Sequence, residues 1–563
     1  MLETTLNTEF LPGTNVKGDM VSADWRFLLP SLEVDTAVCF GFPPLSTIQV
    51  LARMCREVAI VSDRNLKRDT IDNQLRARNI KNISMLSMSE LNAVADNKVE
   101  LVLAVRRSTI NKVLGNPAAL AQLSRIVKPN GVVFFRLHGL LDRLLRRKTV
   151  NAFLQDGFCQ PQEFWLSPAL GRMRMAVPLA DQDLRPYFIS KILVGQTFKN
   201  RLLKFYGRIL GSYPRVLISR YSGELPAQPP EYLISLGKDA GLDLSGYRWG
   251  VAAGGRYNAK KIVFYLFNES SESPEIVVKL TRSPEFNVRL ESEYRALTFL
   301  HEKKLAPAGS FPEPLFHGYH AGLMVVGQGV IDGALFSKRT TGAPDCRYLL
   351  ATVDWLIALA LKSKDPISAN SMDVAATLKI LLDRLCEIYK MTPEHSEFLA
   401  QQIDTLGRSN REFPLVFQHG DAGSWNVLIT RDDRIAYVDW EAAEPNGLPL
   451  WDLFYFLKTY GTIMFRREGM RDSLQAFTKN FLNATDIGSR LIDSTRRYCE
   501  SVGFDKRWIE PLFYICWVHR ALKEATRLRR ETLESGHYIN LLRLAIDHRG
   551  TPVLDGLFSL HKN

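Results

Sequence analysis

The apolar and polar positions fall into two successive rhythms. In the N-terminal part, short apolar runs over Val34–Phe40, Glu57–Val61, Glu100–Val105 and Gly131–Leu137 predict strands. Helical periodicity over Thr47–Cys55, Leu66–Arg78 and Ala118–Ile126 separates them. Strands alternating with helices predict a Rossmann-like, doubly wound α/β domain. Further along, Tyr247–Val251, Lys261–Phe267, Glu275–Leu280 and Leu323–Gln328 read as strands, with a helix over Val288–His301. Leu415–Leu457 then reads as strand, polar loop, strand, turn, strand, polar loop, helix. Inside it, Val427–Thr430 and Ile435–Val438 flank Arg431-Asp432-Asp433-Arg434, a hairpin signal. Tyr348–Leu406 and Gly469–His561 are mostly helical by period.

The hairpin carries Asn426 at one end and Asp439 at the other, and pairing its strands brings both near Asp421. An aspartate, an asparagine five residues on and a second aspartate after a hairpin are what phosphoryl transfer needs. One carboxylate orients or deprotonates a hydroxyl. An amide oxygen and another carboxylate hold Mg²⁺ on nucleotide phosphates, because that ion takes hard oxygen ligands. His419-Gly420-Asp421 through Asn426, followed by Val438-Asp439-Trp440-Glu441, resembles the aminoglycoside phosphotransferase and choline kinase family. Gly447-Leu448-Pro449-Leu450-Trp451-Asp452-Leu453 resembles that family's Pro-x-x-Asp-Leu segment, whose aspartate braces the catalytic loop. The resemblance implies an α+β, two-lobed, protein-kinase-like domain that uses ATP and Mg²⁺. In it Asp421 is catalytic, Asn426 and Asp439 hold the metal, and His419 organises the loop. Trp425, Trp440 and Trp451 read as packing residues.

A nucleotide-binding lobe should precede this core. Gly254 and Gly255 lie in a loop, Ala252–Asn258, whose backbone N–H groups could cover phosphates. Lys279 stands alone in a β-branched run, where an ammonium reaches nucleotide phosphates. Glu293, on the following helix, is the expected partner of Lys279, with Glu291 the near alternative. Leu323–Gln328, with Gly329, Gly333 and Leu335 after it, resembles the last strand and hinge of such a lobe.

The N-terminal part resembles a class I methyltransferase that binds S-adenosylmethionine, through Gly41 after the first strand, Asp63 after the second and Val127-Lys128-Pro129-Asn130-Gly131 before a late one. The resemblance gives Asp63 the ribose hydroxyls. The first loop departs from that pattern. Phe42, Pro43 and Pro44 stand where several glycines are usual, and the acidic residue expected after the third strand is missing from Met85-Leu86-Ser87-Met88. Lost methyltransfer chemistry on a retained fold is the expectation.

Composition narrows the partners. The 563 residues carry a net charge of +12 and seven scattered cysteines, never as Cys-x-x-Cys. That pattern suits a reducing cytoplasm rather than a zinc site or a disulfide framework. No uncharged apolar run is long enough to span a bilayer. No nucleic-acid motif is visible. Between Arg185 and Arg220 the chain is basic without an acid, and positions 198–210 read as a basic amphipathic helix. Such a helix either joins domains or lies peripherally on the inner face of an anionic membrane. The expected division is a methyltransferase-like domain over 1–183, a basic helical linker over 184–235, and a kinase domain over 236–563. The kinase lobes divide at 335/336. Three readings stay open: a phosphotransferase acting on a hydroxyl of a small molecule or glycan, a bifunctional kinase and methyltransferase, and a non-catalytic scaffold.

Overall fold

The computed structural model describes residues 19–562 apart from 63–72, 77, 105–116, 138–149, 152, 168–171, 193–215, 256, 258, 365–367 and 410. The chain forms two compact units. The first is Lys17–Asn287 with Leu315–Gly329, and the second is Val288–Pro314 with Val330–Asn563.

The first unit is built on one 13-stranded sheet. Its parallel part comprises β1 (Val34–Phe40), β2 (Cys55–Val61), β3 (Ile83–Leu86), β4 (Val99–Ala104) and β5 (Val127–Arg136), in the order β3-β2-β1-β4-β5. Parallel strands are covered on both faces, so their residues are apolar on both. Ala37, Cys39, Leu101, Leu103 and Phe134 enter one core, while Val38, Phe40, Val102, Ala104 and Phe135 enter the other. The helix Leu45–Met54 packs on the first face through Ile48 and Leu51, and the helix Pro117–Ile126 on the second through Leu120, Leu123 and Ile126. Next come β8 (Val216–Arg220), β6 (Gln162–Ser167) and β7 (Met175–Pro178), each antiparallel to its neighbour. This is the doubly wound Rossmann-like order, closed by an antiparallel strand.

The sheet does not end there. Met175 and Ala176 of β7 pair with Ala252 and Val251 of β9 (Arg248–Ala252), and the sheet continues through β10 (Ile262–Phe267), β11 (Ile276–Leu280), β13 (Leu323–Gly329) and β12 (Pro314–His320). The four strands expected to form the smaller kinase lobe, with β12 as a fifth, therefore extend the Rossmann-like sheet. Packing follows the pairing. Phe164 meets Trp249 edge-on at 5.6 Å, and Tyr187 and Phe188 meet Tyr265 at 5.7 and 5.6 Å. Gly250 is required here, since a Cβ on it would stand 2.4 Å from the Phe188 ring. Within the span expected as a helical linker, Arg185–Ile192 and Glu231–Asp239 are helices, but Val216–Arg220 is a strand inside the sheet. Its unbroken apolar run is buried between β5 and β6. The basic stretch 198–210 lies outside the described residues.

The second unit is mainly helical. Its core gathers the helices Arg347–Ser363, Ser371–Ile388, Trp451–Arg467, Asp486–Val502 and Ile509–Ala525 around three small sheets. One sheet is β14 (Gly333–Leu335), β18 (Val427–Thr430) and β19 (Ile435–Tyr437), which contains the expected hairpin. A second pairs β15 (Ser368–Asn370) with β16 (Glu412–Pro414). The third pairs β17 (Val416–Gln418) with β20 (Glu444–Gly447). Among the described residues no helix is long and apolar enough to cross a membrane, and all seven cysteines are free.

Candidate active site

The loop after β17 is fixed by buried partners. Asp452, at the start of the Trp451–Arg467 helix, accepts the His419 N–H at 2.6 Å and the Gly420 N–H at 3.1 Å. Its bracing role, expected from the Pro-x-x-Asp-Leu segment, is thus geometric fact. Gly420 has φ of +71°, and a Cβ on it would stand 1.8 Å from the Ala442 carbonyl oxygen, so only glycine fits. The His419 ring is buried. Its Nδ1 accepts the Asp421 N–H at 3.2 Å and its Nε2 donates to the Val438 carbonyl at 3.1 Å, a set that one neutral tautomer satisfies. Burial lowers its pKa in the same sense. His419 therefore ties the loop to the far arm of the hairpin and organises it, as expected.

Asp421, Asn426 and Asp439 come together. The Asn426 amide nitrogen donates to the Asp421 carbonyl at 2.9 Å and to Asp421 Oδ2 at 3.2 Å. Its amide oxygen is left as the end able to meet a cation. The Val438 N–H donates to the Asn426 carbonyl at 2.9 Å, which sets Asp439 beside Asn426. Asp439 itself has φ of +70°, an uncommon conformation held where the strand ends. Among the described residues no three His, Cys, Asp or Glu side chains group as a metal cage. A small hard cation that keeps waters and phosphate oxygens needs only one or two protein oxygens, and Asn426 and Asp439 supply that number.

Two cations that the sequence reading missed complete this site. Arg520 donates from Nη1 to Asp421 Oδ1 at 3.1 Å and from Nη2 to the Gly420 carbonyl at 3.1 Å, while its Cζ lies 3.4 Å from the centre of the Tyr455 ring. Lys523, one turn on, donates to the same carbonyl at 3.3 Å. Burial alone would push the Asp421 carboxyl up; Arg520 and Lys523 outweigh it and hold it below the ordinary carboxylate range. The carboxylate is poised to accept a hydrogen bond from a hydroxyl. Of the three tryptophans expected to pack, Trp440 and Trp451 are buried and donate to the carbonyls of Tyr437 and Leu512. Trp425 is instead 51% exposed on the loop after β17. It stands edge-on to Tyr455 at 5.8 Å, because the tight loop leaves its indole no core to enter.

The remaining candidates lie as follows. Lys279 is buried on β11, opposite Val263 and Val326. Glu293 is wholly buried on the helix Asn287–Lys303, whereas Glu291 is only half-buried. Gly254 and Gly255 sit in the loop after β9, Gly255 with φ of +82°. That loop is pinned from below by Arg282, which donates to the carbonyls of Gly254, Tyr257 and Lys260 at 3.0, 3.1 and 2.6 Å.

In the methyltransferase-like part, Asp63 lies outside the described residues. The loop after β1 is described, and it fits S-adenosylmethionine poorly. Gly41 spends its N–H on the Val61 carbonyl at 2.8 Å, and Pro43 and Pro44 have none to offer. Phe42 does not stand in the cofactor's space, as its position in the sequence suggested. It is buried in the core that also holds Met20 and Trp25. The loop's poverty is one of donors rather than of room.

Residues 263–484 match the family model described as the phosphotransferase enzyme family. No curated protein matches the chain. Among solved structures, the chain is similar to a choline/ethanolamine kinase family protein from Mesorhizobium loti, at 14% identity over 54% of this chain and 90% of that one, with a TM-score of 0.33. It is similar to an aminoglycoside phosphotransferase from Streptomyces rimosus in complex with ADP and streptomycin, at 15% identity over 48% and 94%, with a TM-score of 0.30. A geranyl diphosphate C-methyltransferase from Streptomyces coelicolor matches at 14% identity over 36% and 79%, with a TM-score of 0.24. Likenesses of this extent decide nothing by themselves.

Proposed function

We propose, for a chain whose residues 263–484 match the family model of the phosphotransferase enzyme family, that it transfers the γ-phosphoryl group of ATP, with Mg²⁺, to a hydroxyl of a small molecule or glycan. The observation that carries this reading is the Asp421–Asn426–Asp439 constellation, locked by Asp452 and His419. Asp421 orients the acceptor hydroxyl and takes its proton as the bond to phosphorus forms. Asn426 and Asp439 are the residues that would hold the metal, which when bound would supply positive charge against the phosphates. Lys279, Glu293 and the Gly254–Gly255 loop are the residues proposed to serve the nucleotide. Because such transition states are loose, position and charge do most of the work.

The methyltransferase-like part serves this reaction as a scaffold. Its first loop lacks the donors that S-adenosylmethionine needs, and its sheet carries the strands of the nucleotide lobe.

Asp421→Asn tests the assignment. The variant keeps its fold and nucleotide binding, and its transfer rate falls by about 10²–10⁴-fold, the range for loss of a positioned acid–base group. Transfer at the parent rate, to any acceptor the parent uses, removes Asp421 from the chemistry.

A further inference from the structure

The two carboxylate oxygens of Asp421 face different surroundings. Oδ2 meets the Asn426 amide, on the side read above as the metal side. Oδ1 meets Arg520, which opens onto a connected patch of aromatic and cationic side chains. Arg520 stacks on Tyr455, the Tyr455 hydroxyl meets that of Tyr538 at 3.1 Å, and Lys458 Nζ lies 5.1 Å from the centre of the Tyr538 ring. Trp425 edges Tyr455 from the exposed side.

The cations of this patch are unequally satisfied. Asp421 neutralises Arg520. Lys523 meets the Gly420 carbonyl and shares the field of Asp421 with Arg520, and Lys458 meets the His537 ring, whose Nε2 accepts at 2.7 Å, beside the Tyr538 ring. Neither lysine has a carboxylate at ion-pair distance among the described residues. Asp421, already paired with Arg520, and then Glu444 act on Lys523 from further away, and Glu524 acts on Lys458, its carboxylate already accepting the Tyr538 N–H at 2.8 Å. An ammonium withdrawn from water without a counter-charge is costly. In both lysines burial comes first, and neighbouring Arg520 adds to it, pushing the pKa down to about 8. A bound anion would reverse that penalty.

We infer that the acceptor carries a carboxylate or phosphate group, which Lys523 and Lys458 bind on the Oδ1 side of Asp421 while Trp425 stacks on its ring. This rests on the phosphotransferase reading and specifies the acceptor for it. The nucleotide's own phosphates are the competing anion. Their place is with the metal pair on the Oδ2 side, so the two lysines should affect acceptor binding and leave the nucleotide alone.

Calorimetry on the full chain saturated with Mg·ADP tests this with four probes: glucuronate, glucose 6-phosphate, neutral glucose and cationic glucosamine. At least one anionic sugar should bind about tenfold or more tighter than glucose, as one charge-assisted contact provides, and glucosamine should bind no better than glucose. Which anion binds separates a carboxylate from a phosphate acceptor. Lys523→Gln and Lys458→Gln, two independent variants, should each weaken the favoured anion about tenfold without changing Mg·ADP affinity. Equal binding of all four sugars, absence of binding by either anion, or unchanged anion affinity in both variants overturns the inference. A fall in Mg·ADP affinity reassigns the lysines to the nucleotide. A parent chain that does not bind Mg·ADP at all contradicts the phosphotransferase reading instead.

Discussion

Asp24 and Arg282 form a fully buried, two-point ion pair, Nε to Oδ1 at 2.8 Å and Nη2 to Oδ2 at 3.0 Å. Asp24 belongs to a 3₁₀ segment, Asp19–Leu28, that packs on the methyltransferase-like face, and Arg282 follows β11. The same guanidinium holds three carbonyls of the Gly254–Lys260 loop, and Arg26 donates to the Arg282 carbonyl at 2.6 Å. One side chain thus joins the N-terminal segment to the loop read as covering phosphates. Asp24→Ala strands a buried guanidinium and should cost about 3–5 kcal/mol. Denaturant unfolding measures that loss, and hydrogen exchange should show the amides of 254–260 opening more readily. Parent-like protection there would mean that the pair does not hold the loop.

The continuous sheet makes the two expected domains inseparable. A fragment beginning at residue 236 would expose the β9 edge that β7 covers and remove Phe164 and Phe188 from the Trp249–Tyr265 packing. Such an edge invites aggregation. Expressed alone, residues 236–563 should be insoluble or lack a cooperative melt, and co-expression with 1–235 should rescue them. A soluble fragment that melts cooperatively would show that the junction is dispensable.

The tryptophans should separate stability from function. Trp440→Ala empties a buried site beside His419, whose ring lies 4.4 Å away, and should cost about 3–5 kcal/mol. Trp425→Ala, on an exposed side chain, should change stability by no more than about 0.5 kcal/mol while raising the acceptor KM. Melting curves and acceptor titrations on the two variants check both parts.

Lys523 and Lys458 give the site two opposed pH slopes. Their folded pKa values near 8 lie below the ordinary 10.5, so the unfolded chain holds more protons between those limits. Their contribution to stability therefore rises with pH across that window. The charges felt by Lys523 are Arg520, Asp421, Glu444 and Arg527, and those felt by Lys458 are Glu524, Arg520 and Arg466. An anionic acceptor needs the ammonium forms, so its affinity should fall as pH rises through about 8. Comparing the parent with Lys523→Gln isolates both slopes, and a variant with the parent's profile would assign them elsewhere.

Local patterns were legible where the physics is local. β1 and β18 occupy the residues that the apolar runs predict, and the spacing of Asp421, Asn426 and Asp439 places them together. Glu444–Gly447 falls in the stretch read as a polar loop, yet pairs with β17 because a partner strand supplies what its own propensity does not. The continuity of the sheet was hidden for a similar reason: nothing in Met175-Ala176 or Val251-Ala252 announces that those strands meet. Arg520 lies 99 residues from Asp421, and Asp24 lies 258 from Arg282. A charge buried in one helix looks like a surface charge until its partner arrives through the fold.

The phosphotransferase reading meets its most direct test in calorimetry of ADP binding to the full chain, with and without Mg²⁺, in the parent and in Asp439→Ala. The account predicts Mg²⁺-dependent binding to the parent, loss of that dependence in Asp439→Ala, and a smaller loss in Asn426→Ala, since a charged ligand holds the cation more strongly than an amide. Binding that ignores Mg²⁺, or equal affinity in the parent and Asp439→Ala, would contradict it.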